Sequence, residues 1–90
     1  MKVPSKFTLG AIEWKVKSVD ELGDRSGQTD ANKAVILLEK NPNKQVFAQT
    51  YCHELFHTFF YEAGITEHDE VLVDKLSRAL HQYLEEIYGE

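Results

Sequence analysis

Ninety residues, 42% of them hydrophobic and 28% charged, suffice for one small globular domain and are too apolar for a disordered chain. A chain of this size buries only roughly 60–65% of its unfolded surface, so any site is built from one or two elements rather than deeply enclosed. Ten Lys and Arg against fifteen Asp and Glu give a net charge of −5 with no basic cluster, which argues against a nucleic-acid partner. Cys52 is the single cysteine, so there is no internal disulfide and the expected compartment is the cytoplasm. No apolar run approaches the roughly 18 residues of a membrane span, and Met1 to Gly10 lacks the apolar block of a signal peptide.

In chain order, Phe7 and Leu9 precede Gly10, and Ile12, Trp14 and Val16 then alternate with Glu13, Lys15 and Lys17. This period of two predicts a β-hairpin turning at Gly10, half buried on one face. Asp20 to Lys33 is rich in Gly, Asp, Ser, Asn and Thr and reads as a loop, with a minor strand near Gln28 that turns at Asp30 to Lys33. Val35-Ile36-Leu37-Leu38 is a compact apolar strand, either buried on both faces or lying against a helix. Asn41-Pro42-Asn43 signals a helix start, and no Gly or Pro follows between Lys44 and Ala63. Gly64 supplies the residue that commonly ends a helix. Thr66 is placed to cap a second helix, with Asp69 or Glu70 suited to its positive N-terminal end. Val73, Leu76, Leu80, Tyr83, Leu84 and Ile87 carry that helix nearly to Tyr88. The expected fold class is α+β: a small antiparallel sheet of three to four strands, packed on an antiparallel helical hairpin, as a single domain over residues 1–90.

The first helix contains His53-Glu54-Leu55-Phe56-His57, the pattern His-Glu-x-x-His. Residues four apart lie one above the other on a helix, so both imidazoles reach one ion while Glu54 sits at its rim. That arrangement suits a zinc ion with a carboxylate beside it to handle the proton of a water molecule. Thr50, His53, Glu54, His57 and Tyr61 form a polar stripe on this helix. Ala48, Cys52, Leu55, Phe56, Phe59 and Ala63 form an apolar one.

A catalytic zinc site normally takes three protein ligands. The continuation that would supply a third histidine from the same segment is absent, since position 60 is Phe and position 63 is Ala. The second helix offers His68, Glu70, Asp74 and His81. If the hairpin reverses near residues 65 and 66, Asp74 lies level with His57. Glu70 then falls level with Tyr61, His68 with Ala63, and His81 passes beyond Gln49 or Thr50. This register ranks Asp74 first and Glu70 second.

His53-Glu54-x-x-His57, followed by Asp74-Lys75-Leu76-Ser77 in a second helix, resembles the gluzincin arrangement of zinc metallopeptidases. The order of elements over residues 7–88 is similar to that of short phage and bacterial metallopeptidase-like proteins, the minigluzincins and ImmA/IrrE peptidases. The resemblance implies zinc (Zn2+) held by His53, His57 and Asp74, and hydrolysis of a peptide bond with Glu54 as general base and then acid. One departure is that gluzincins usually have glutamate as the third ligand, and Asp74 is one methylene shorter. Tyr61, Tyr83, His81 and Arg78 are candidate oxyanion donors, and Thr50 or Ser77 candidate partners of the ligands. A peptide or protein substrate is expected to add as a strand to the sheet edge at Val35 to Glu39.

Cys52 falls on the apolar face, so a buried, unreactive thiol is expected rather than a ligand. Trp14, Phe7, Phe47, Phe56, Phe59 and Phe60 read as core, with Phe60 and Tyr61 as the start of an exposed apolar patch. A second function class is a catalytically inactive interaction module that keeps the same fold. So small a domain builds one wall of a cleft, which leaves a homodimer, a protein partner or the substrate to complete the other.

Overall fold

The computed structural model describes residues 1–89. The elements run β1 (Lys6–Leu9), β2 (Ile12–Val19), β3 (Gly27–Asp30), β4 (Val35–Glu39), α1 (Lys44–Glu62) and α2 (Glu70–Tyr88). The α+β class and the helical hairpin are as the periodicity indicates. The sheet, however, is mixed, with strand order β1-β2-β4-β3. β1 and β2 form the expected hairpin with Leu9 opposite Ile12. The two intervening residues, Gly10 and Ala11, both have positive φ, at 57° and 67°, which a tight two-residue hairpin turn of matching twist requires. β2 pairs with β4 in parallel, and β3 pairs with β4 antiparallel. The segment from Asp20 to Ser26 therefore carries the chain past the position of β4 to the outer edge. The β3–β4 hairpin then returns β4 between β2 and β3.

This topology corrects one expectation. Val35 to Glu39 is hydrogen-bonded on both sides and offers no free edge. β3 is the edge strand next to α1, and its outward groups follow from the ladder. Glu39 N–H donates to Ser26 O at 2.9 Å across directly opposed positions, so Ser26, Gln28 and Asp30 point their backbone groups inward. Gly27 and Thr29 direct theirs outward.

One face of the sheet is buried. Ile36 and Leu38 of β4 are fully enclosed and Trp14 of β2 nearly so, joining Tyr51 and Cys52 of α1 in a single core. Phe7 packs parallel to Trp14. Val35, Leu37 and Glu39 lie on the opposite, half-covered face, so the apolar run of β4 lies against a helix rather than between two layers.

Asn43 caps α1, its side-chain oxygen accepting from Gln45 N–H and Val46 N–H. The helix ends in a Schellman arrangement: Ile65 N–H donates to Phe60 O, Gly64 N–H to Tyr61 O, and Gly64 has φ 79°. α2 begins later than Thr66 suggests. Its cap is Asp69, which accepts from Val71 N–H and Leu72 N–H. α1 packs on β3 and β4 with one side and on α2 with the other, giving layers in the order sheet, α1, α2. α2 buries Val73 and Ser77 toward α1, while Leu72, Leu76, Tyr83 and Ile87 stay exposed because no other element among the described residues covers them.

Candidate metal centre

His53 and His57 stand one turn apart on the polar stripe of α1, both half-buried, their rings edge to face with centroids 5.1 Å apart. Glu70, the first residue of α2, lies between them. Its Oε2 is 3.3 Å from His53 Nε2, and its Oε1 is 3.3 Å from His57 Nε2. Donor atoms of His53, His57 and Glu70 all lie within 4.8 Å of one another, close enough to bind one metal ion. Two imidazole nitrogens and one carboxylate match the preferences of zinc, whereas magnesium and calcium favour all-oxygen sets.

The structure thus brings both motif histidines together but places Glu70, not Asp74, in the converging set. Asp74 lies one turn further along α2. Its Oδ1 is 3.6 Å from His53 Nδ1, behind the imidazole, and its Oδ2 accepts from Arg78 Nε–H at 2.9 Å. That Arg78 hydrogen bond, outweighing partial desolvation, holds the Asp74 carboxyl below the ordinary carboxylate range. The register differs from residue-for-residue counting for a physical reason. The connector from Ile65 to Glu67 is not helical, and extended chain advances about 3.3 Å per residue against 1.5 Å in a helix. It therefore runs back along α1 in fewer residues than the helix used, bringing His68 level with His57.

His68 is the residue that sequence counting left near the loop. Its Nδ1 is 2.6 Å from His57 Nδ1, its Nε2 is 2.8 Å from Ile65 O, and its ring lies 4.5 Å from that of Tyr61. The only signal in the sequence was its place among four acidic or imidazole candidates after the motif. Burial, more than the opposing carboxylates Glu54 and Glu70 compensate, lowers the His57 pKa and favours the neutral imidazole that binds metals.

Glu54 faces β3. It is 8% exposed, and its Oε1 accepts from Thr29 Oγ1–H at 2.8 Å. Its close approach needs Gly27: a Cβ there would lie 2.8 Å from Glu54 Cγ and 2.9 Å from Thr50 Cγ2. Thr29 and Gly27, on one face of the edge strand, are thus the unanticipated supports of the motif carboxylate. An open cavity of about 470 Å3 lies over the cluster, lined by Glu54, Tyr61, His68, Glu70 and β3. A second of about 330 Å3 adjoins it on the Asp74 side. Arg25, Gly27, His53 and Glu54 border both, so the two form one groove running past the histidines along β3.

Among the other candidates, Tyr61 borders this groove beside His57 and His68, and Thr50 borders it on the Asp74 side. Arg78 is engaged by Asp74, His81 sits between Gln49 and Glu85, and Tyr83 is exposed on α2. Thr50 Oγ1–H donates to Val46 O within its own helix, and Ser77 binds Gln49 and Asp74 O, so neither touches a histidine of the pair. Cys52 is fully buried as expected, and burial pushes its thiol up to about 11. No family model, curated protein or solved structure matches the chain.

Proposed function

We propose that this protein is a minimal zinc-dependent metallopeptidase of gluzincin-like character, with His53, His57 and Glu70 as the zinc ligands. The observation that carries this reading is the convergence of three donors of zinc-preferring chemistry at the floor of an open groove, with Glu54 beside them on the same helix. A bound zinc ion would supply Lewis-acid polarisation of a carbonyl and acidify a water molecule. Glu54 would take the water's proton and return it to the leaving amine; Thr29 holds one of its oxygens and so sets the direction in which the carboxylate faces. Asp74, behind His53, orients that imidazole.

An extended peptide fits along β3, where the outward backbone groups of Gly27 and Thr29 would pair with it as an added strand. β3 replaces Val35 to Glu39 in this role because β4 is enclosed. Tyr61 is the phenol best placed to meet a developing oxyanion.

The test is a peptide-library assay on the zinc-loaded protein with and without chelator, alongside Glu54→Gln. Chelator should abolish cleavage, and Glu54→Gln should lower it about 10²–10⁴-fold while zinc is retained. Zinc binding without cleavage of any peptide would favour the non-catalytic module instead. Cleavage unaffected by Glu54→Gln would sink the mechanism.

A further inference from the structure

We infer that His68 is a positioning residue of the metal centre, accepting a hydrogen bond from His57 Nδ1–H and thereby leaving the His57 Nε2 lone pair free for a metal ion. The inference rests on the metal-binding reading of the cluster and adds to it a residue that the motif does not contain.

Donor and acceptor capacity fixes the direction of the His57–His68 hydrogen bond. His68 Nε2 lies 2.8 Å from the backbone oxygen of Ile65. A carbonyl oxygen only accepts, so this nitrogen carries a hydrogen. A neutral His68 then has a bare Nδ1, and the atom it faces at 2.6 Å is His57 Nδ1, which must donate. With its hydrogen on Nδ1, a neutral His57 presents an unprotonated Nε2, the atom aimed at Glu70 and the centre of the cluster. The ring arrangement agrees. The planes are 18° apart with centroids 4.9 Å apart, and the nitrogens are closer than the centroids by about two ring radii. The rings therefore lie side by side in nearly one plane, as an in-plane N–H···N bond requires, rather than one over the other. Phe60 meets the His68 ring edge to face and Tyr61 packs at 4.5 Å, so aromatic neighbours on α1 hold it in place.

The chain Ile65 O, His68, His57 thus passes a tautomer choice from a backbone carbonyl in the connector after α1 to the metal-facing nitrogen. His53 has a different neighbour at its Nδ1, the Asp74 carboxylate at 3.6 Å, which acts by charge and proximity rather than through such a relay.

The test uses two variants of the full chain. His68→Asn keeps an acceptor oxygen at the position of Nδ1, and His68→Leu removes it. Zinc affinity, measured by competition with a chelating dye, should fall roughly 10–100-fold in His68→Leu and stay within a few-fold of wild type in His68→Asn. Long-range proton–nitrogen correlation spectra of the zinc-free wild-type protein at neutral pH should show His57 protonated on Nδ1, a readout that does not depend on metal binding or activity. The inference is overturned if those spectra place the hydrogen on Nε2. It is also overturned if both variants bind zinc as wild type does, or if both lose affinity equally, which would make His68 a ligand or a packing residue. Failure of wild type to bind zinc would overturn the metal-centre reading, while the spectra would still decide the tautomer.

Discussion

α1 and α2 are equally long, nineteen residues each, yet they contribute to the centre in opposite ways. α1 is the middle layer. The sheet covers one side and α2 another, so Ala48, Tyr51, Cys52, Glu54 and Thr58 are all buried and the stripe bearing His53 and His57 is the part left facing the groove. α2 is an outer layer packed on α1, with the Met1 ammonium on its Glu85 at 2.7 Å, and it delivers Glu70 from its first turn, with Asp74 one turn behind. Two ligands on one helix keep their spacing wherever that helix goes. A ligand on a second helix is placed by the connector before it, so its identity depends on how that connector runs.

The division between converging and supporting carboxylates on α2 is open to direct test by substitution. Glu70→Ala should weaken zinc binding by more than the roughly 10–100-fold typical of a group behind a ligand, and Asp74→Ala by no more than that. Competition titrations of both variants decide it, and the reverse order would return Asp74 to the ligand set. A smaller effect tests how tightly α1 is held against β3. Gly27→Ala inserts a Cβ against Glu54 Cγ and Thr50 Cγ2, atoms near the helix backbone that cannot swing far. The clash should exceed the gain from a stiffer unfolded chain and cost about 1–3 kcal/mol, read as a lower denaturant midpoint with unchanged slope. An unchanged midpoint would mean that α1 is free to shift away from the edge strand at Gly27. The smallest perturbation is chemical. Cys52, fully buried with its thiol pushed up to about 11, should react with a thiol reagent at pH 8 far more slowly in the folded protein than in denaturant. Fast labelling of the native protein would show that the sheet side of α1 opens readily.

Several elements were legible from local pattern alone. The β1–β2 hairpin, the cap at Asn43, the stop at Gly64 and the burial of Cys52 each follow from residues close in sequence. The cap of α2 was less so, because Thr66 and Asp69 are both good capping residues and the choice depends on where the connector leaves α1. The pairing of β4 was not legible. An apolar strand after a polar loop can join a sheet at either side of its predecessor, and only the long path from Asp20 to Ser26 puts β3 outside it.

The sequence by itself determined the two histidines and the glutamate of the motif, because their spacing is a property of one helix and survives any packing. Tertiary structure decided the rest: Glu70 in the converging set, Asp74 and His68 behind the two imidazoles, and Gly27 and Thr29 on the open edge against Glu54. These are contacts between separate elements, and their register is set by how far each connector advances per residue, which composition and periodicity do not encode.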